Sequence, residues 1–88
     1  MFTVLSRSNR NKGARLGLAI AKKNCRLAVQ RNRLKRIVRE SFRSHKRELD
    51  GLDVVVMCQT EASRAGNKKL FDSLAAHWHR CRNAAGLG

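Results

Sequence analysis

Large and small apolar side chains alternate from Leu16 to Ala21, with Leu16, Leu18 and Ile20 on one side and Gly17, Ala19 and Ala21 on the other. This is the period of a strand with one bulky and one shallow face. The shallow face leaves room for a ligand or another backbone to come close. Phe2 to Arg7 is a second β-rich stretch, and the polar run Ser8 to Gly13 separates the two, so the pair is expected to form an antiparallel hairpin. Beyond the basic connection Lys22 to Arg26, the period changes. At 100° per residue, Leu34, Ile37, Val38, Phe42 and His45 fall on one stripe, while Asn32, Lys35, Arg36, Arg39, Arg43, Lys46 and Arg47 lie opposite, with Arg31 and Arg33 on the flanks. This predicts an amphipathic helix from Leu27 or Ala28, closed by Asp50-Gly51, where glycine suits the left-handed conformation.

Asp53 to Thr60 is a nearly unbroken β-branched run, the pattern of a central strand covered on both faces. With the Leu16 to Ala21 strand and the helix between, it makes a βαβ unit with parallel strands. Glu61 to Gly66 is polar. Asn67 is placed to cap a last helix whose apolar stripe is Leu70, Phe71, Leu74, Trp78 and Cys81, and Gly86 falls where the chain leaves it. Two amphipathic helices and three strands predict an α+β fold, a two-layer sandwich with a small mixed sheet whose other face stays open. At 88 residues the chain holds one domain, residues 1 to 88.

Charge changes the picture from fold to function. Twenty Lys and Arg residues against six Asp and Glu give a formal charge of +14, and 11 of the twenty lie between Lys22 and Arg47 with Glu40 as the one carboxylate. Like charges at helical spacing repel by a few tenths of a kcal/mol per pair, so an external polyanion is expected to offset them. If about six phosphates are neutralised, log K should fall with log salt at a slope of about −4 to −5. The longest apolar runs are far too short to span a bilayer, which takes about 20 residues. Three cysteines, Cys25, Cys58 and Cys81, stand far apart in no C-x-x-C spacing. That argues for a reducing compartment, the cytoplasm, and against a disulfide frame or a zinc module.

A basic protein invites comparison with nucleases, yet Glu40, Glu48, Asp50, Asp53, Glu61 and Asp72 show no paired-carboxylate spacing for divalent metals. Glu40, among Arg36, Arg39 and Arg43, is expected to form a structural ion pair. In His77-x-His79-x-Cys81, helical geometry points His79 about 200° away from His77. One four-apart pair is an incomplete metal site, so surface histidine and core cysteine is the expectation. His45 is expected to be packed or hydrogen-bonded. Few aromatics are available for base stacking, which favours backbone and shape recognition, and charge alone does not separate RNA from DNA.

Three blocks carry a resemblance: Leu16-Gly17-Leu18-Ala19-Ile20-Ala21-Lys22-Lys23, the stretch Ala28 to Arg43 with Arg31-Asn32-Arg33 in its first half, and Asp53-Val54-Val55-Val56. In this order, from about Phe2 to Arg82, the chain resembles the protein subunit of bacterial ribonuclease P. The resemblance implies a ribonucleoprotein endonuclease that removes the 5′ leader of precursor tRNA, with catalysis by the RNA subunit and its magnesium ions, so this chain has no catalytic residue of its own. It implies RNA binding by Lys22, Lys23, Arg31, Asn32, Arg33, Lys35, Arg36 and Arg39, to which the cationic stripe adds Arg43. It further implies a left-handed βαβ crossover and a cleft for the single-stranded leader between the sheet and an N-terminal helix. Family members carry that helix ahead of the first strand. This chain starts at the strand, so a truncated unit, weakened leader binding and self-association through the exposed sheet face are expected. A structural RNA-binding protein, such as a ribosomal component, is the alternative.

Overall fold

The computed structural model describes residues 1–10 and 13–84. Along the chain run β1 (Phe2–Ser8), β2 (Arg15–Ala19), α1 (Ala28–Ser44), β3 (Leu52–Cys58), a 3₁₀ helix (Thr60–Arg64) and α2 (Asn67–Ala84). The expected α+β sandwich with a small mixed sheet is what forms, with strand order β1-β3-β2. β2 runs parallel to β3, as the βαβ pattern requires, with Leu16 opposite Val54 and Leu18 opposite Val56.

The expected β1–β2 hairpin does not form. β1 instead pairs antiparallel with the far edge of β3, Phe2 opposite Cys58 and Ser8 opposite Leu52. The physical reason lies in β3. It is the most apolar strand, with Leu52, Val54, Val56 and Cys58 all buried, and a backbone placed there needs ladder partners on both edges. β1 and β2 carry Arg7 and Arg15 and serve as edges, where charge is tolerated. A loop pinned by Asn9 makes the connection. Its backbone N–H donates to Gly51 O at 2.9 Å and its Nδ2 to Asp53 Oδ1 at 3.0 Å. Gly51 itself takes φ +83°, the left-handed turn expected of it.

Only one face of β3 is covered, which corrects the expectation of burial on both. Leu52, Val54, Val56 and Cys58 face the helices, while Val55, between them, is exposed. The shared core joins them to Leu34, Ile37, Val38 and Phe42 of α1 and to Leu70, Leu74, Trp78 and Cys81 of α2. Trp78 is wholly buried. Its indole N–H donates to Ser41 Oγ at 2.9 Å, and its ring meets Phe42 edge-on at 5.9 Å between centroids. A buried indole needs such an acceptor, and Ser41 lies on the same stripe as Ile37 and His45. His45 Nδ1 donates to the Ser41 carbonyl at 2.9 Å, the packed role expected of it.

Helix ends differ slightly from expectation. α1 stops at Ser44, and turns carry the chain through the buried Leu49 to β3. Asn67 is the first residue of α2 and not its cap, because Leu70 N–H bonds back to Gly66 O at 3.1 Å. Gly86 lies outside the described residues. No described helix is long and apolar enough to cross a membrane.

Candidate nucleic-acid interface

The outward side of α1 is built by the same periodicity that makes its core stripe. Asn32, Arg36, Arg39 and Arg43 follow one another at steps of four, three and four residues, so their side chains form a single ridge. At 1.5 Å per residue the ridge is about 16 Å long. All four residues are exposed. None of the three arginines makes an ion pair among the described residues, where the ion pairs formed are those of Arg7, Arg15 and Lys68. Glu40 was expected to pair with them and does not. It is exposed, and in water an ion pair on a helix surface gains too little to hold two long side chains in place.

Arg31 and Arg33, the outer members of the RNR block, behave differently. Arg31 Nη1 donates to the carbonyls of Cys25 at 2.9 Å and Arg26 at 2.8 Å. Arg33 Nη2 donates to the Ala65 carbonyl and Nη1 to Gln30 Oε1 at 3.3 Å. Both are half-buried. They fasten the segments before and after the helix layer to α1, while Asn32 stands outward between them. Lys35 is also half-buried. Lys22 and Lys23 are exposed on the turn after β2, a turn fixed by Asn24, whose Nδ2 donates to Cys58 O at 3.2 Å. The structure therefore brings Asn32, Arg36, Arg39 and Arg43 into one line and places Lys22 and Lys23 beyond the N-terminal end of the helix.

The open sheet face is a second surface that spacing alone left undefined. In register, Leu5, Val55 and Gly17 lie side by side across the three strands, and Arg7, Asp53 and Arg15 form the next row. A depression of about 440 Å³ follows this floor. Leu5 is 58% exposed and Val55 41%. Arg7 Nε lies 3.7 Å from the Asp53 carboxylate and Arg15 Nε 3.9 Å. The small-residue face of β2 is thus the shallow surface expected, with a Cβ at Gly17 meeting nothing nearer than Val55 Cγ2 at 3.5 Å. Sequence spacing could not pair Arg7 and Arg15 with Asp53, because that cluster depends on strand order.

Cys58 and His77 add little charge at neutral pH. Burial pushes the Cys58 thiol up to about 11, so it stays protonated at neutral pH. Burial, then the neighbouring Arg80, lowers the pKa of His77, which keeps its imidazole neutral there; Arg80 Nη2 donates to His77 Nδ1 at 3.1 Å. His79 is exposed and Cys81 buried, as helical geometry required. The described carboxylates do not fit a magnesium site. Asp53 is engaged by Arg7, Arg15 and Asn9 and Asp72 by Lys68, and no group of three or more His, Cys, Asp or Glu side chains is gathered among the described residues.

The architecture has close counterparts in known proteins. A family model described as Ribonuclease P matches residues 1–82. The chain belongs to the ribonuclease P protein family. A ribonuclease P protein component from Thioalkalivibrio sulfidiphilus is 49% identical over 90% of this chain and 66% of its own length. One from Vibrio campbellii is 43% identical over 90% of this chain and 67% of its own. The chain thus spans about two thirds of the length of these curated relatives. Among solved structures, the RNase P protein from Thermotoga maritima, in complex with 1-(4-fluorophenyl)-2-thiourea, superposes with a TM-score of 0.80 at 34% identity, covering 90% of this chain and 78% of that one. The Staphylococcus aureus RNase P protein gives 0.77 at 32%, covering 85% and 69%. The alternative of a ribosomal component finds no support among these relatives.

Proposed function

We propose that residues 1 to 88 act as one RNA-binding unit, the protein subunit of ribonuclease P, which binds the catalytic RNA and assists removal of the 5′ leader from precursor tRNA in the cytoplasm. The observation that carries this is the ridge of Arg36, Arg39 and Arg43. Three guanidiniums without a carboxylate partner, on a helix fixed by its core stripe, present rigid forked donors for phosphates. The relatives, named as ribonuclease P protein components, make that polyanion an RNA. Asn32, Lys35, Lys22 and Lys23 extend the surface. Arg31 and Arg33 shape it through their carbonyl bonds, and the Nε and Nη2 of Arg31 are left for RNA. Magnesium ions are assigned to the RNA, consistent with the lack of any gathered group of three or more His, Cys, Asp or Glu side chains among the described residues, and the chemistry is the RNA's.

The open sheet face serves the second partner, the single-stranded leader, with Leu5, Val55 and Gly17 as an apolar floor and Arg7 and Arg15 at its end. Self-association through Leu5 and Val55 competes for the same face. Reconstitution with a bacterial ribonuclease P RNA at low magnesium tests the whole reading. Stimulated cleavage of precursor tRNA is the expected result. Binding of the RNA without stimulation points to a purely structural RNA-binding role, and cleavage by the protein alone refutes the assignment of chemistry to the RNA.

A further inference from the structure

The two inward-bonded arginines of the RNR block have a joint consequence. Arg31 holds the connection at Cys25 and Arg26, and Arg33 holds Ala65, the residue just after the 3₁₀ helix. Between these two fastened segments lies a cleft of about 450 Å³, lined by Lys23, Arg26, Leu27, Gln30, Ser63 and Arg64 among others. No acidic side chain lines it. Lys23, Arg26 and Arg64 are all exposed and make no ion pair among the described residues. At its rim Leu27 is 66% exposed, and the adjacent Val29 is 78% exposed. Two large apolar side chains left in water beside three unneutralised cations do not suit a solvated surface. They suit a ligand with both an anionic group and a flat apolar one.

We infer that this cleft receives one unpaired nucleotide of the RNA partner, its phosphate against Lys23, Arg26 and Arg64 and its base or ribose against Leu27, with Arg31 and Arg33 as positioning residues that hold the two walls apart. The volume is in the range of small-ligand sites, roughly 300 to 1,000 Å³. Recognition of single-stranded nucleic acid combines a cationic track with side chains that cover the base, and this cleft supplies both with an aliphatic cover. Gln30 and Ser63 add polar atoms at the same walls. The cleft is separate from the sheet-face depression, with which it shares no lining residue, and it recruits Arg64 from an element whose RNA contact the spacing of the chain did not suggest.

The inference rests on the RNA-binding role proposed above, and the experiment separates the two. Binding of the 88-residue chain to a bacterial ribonuclease P RNA is measured over a range of salt for the unaltered protein, Leu27→Ser and Arg64→Ala. Both altered side chains are exposed, so neither variant should lose thermal stability, and serine at the N-cap position of Leu27 should raise it slightly. Arg64→Ala should bind about 5- to 10-fold more weakly with a salt slope shallower by about one. Leu27→Ser should bind about 3- to 10-fold more weakly with an unchanged slope, because it removes cover and no charge. Uridine monophosphate should shift the amide resonances of Gln30, Ser63 and Arg64. An unaltered chain that fails to bind the RNA overturns the RNA-binding role and the cleft together. Normal binding by both variants, or uridine monophosphate shifts confined to the sheet face, overturns the cleft alone. Equal shifts from inorganic phosphate overturn the nucleotide, leaving a bare anion site.

Discussion

The ridge on α1 and the open face of the sheet both present arginines to solvent, yet in opposite electrostatic states. On the ridge, Arg36, Arg39 and Arg43 form no ion pair among the described residues. On the sheet, Arg7 and Arg15 converge on Asp53, and the floor beside them is apolar. Residue type alone therefore does not decide what a cation does. The ridge should supply affinity through counterion release, which depends on free charge. The sheet face should supply contact area and contribute less to salt dependence, because one carboxylate already draws on its two arginines.

Replacing Arg36, Arg39 and Arg43 together by alanine should give the largest effect. RNA affinity should fall roughly 100- to 1,000-fold and the salt slope should become shallower by about three, while thermal unfolding stays within a degree or two. A filter-binding series across salt concentrations measures both. An unchanged slope would mean the ridge is not the phosphate contact. The next effect sets the ridge apart from its own root. Arg33→Ala should cost about 1 to 3 kcal/mol of stability, since the Ala65 carbonyl loses a charged donor, and urea unfolding reads this directly. If Arg33→Ala instead leaves stability unchanged and lowers only the salt slope, then Arg33 belongs with the ridge and the distinction fails.

On the sheet side the changes are smaller, and the first is opposite in sign. Asp53→Asn releases Arg7 and Arg15, so a single-stranded oligonucleotide should bind about 2- to 5-fold more tightly, with a stability change of about 1 kcal/mol or less, because both arginines are exposed and the asparagine Oδ1 can still accept from Asn9. Fluorescence anisotropy with a short labelled RNA checks it, and weaker binding would give Asp53 a direct contact with the ligand. Smallest of all, Gly17→Ala should fold normally and gain about 0.5 kcal/mol from a less flexible unfolded chain, since the added methyl group meets Val55 at ordinary contact distance. The same methyl raises the floor of the depression, so oligonucleotide binding should weaken by a factor of about two, against stacking costs of about 1 to 3 kcal/mol for a full base contact.

Much of this was legible along the chain. The stripe Leu34, Ile37, Val38 and Phe42 is buried as its spacing required, because the period of a helix is local and its apolar side has only one place to go. The same spacing placed Asn32, Arg36, Arg39 and Arg43 on the outside. Strand pairing was not legible. β1 and β2 are neighbours in sequence, and a hairpin is the shortest way to join them, but β3 offers each of them a better edge. Nor was the split within the RNR block. Spacing placed Arg31 and Arg33 on the flanks of the cationic side, but their inward bonds rest on where the carbonyls of Cys25, Arg26 and Ala65 come to lie.

By itself, then, the sequence determined what depends on local period, total charge and residue order: an α+β domain, a cationic helix face and membership in a family of RNA partners. Tertiary structure alone decided which edges β3 pairs, that its Val55 face stays open, that Asp53 draws in Arg7 and Arg15, and which arginines remain free. These depend on groups far apart in the chain becoming neighbours. A guanidinium is free or committed only once the nearest carbonyl or carboxylate has been placed by the fold.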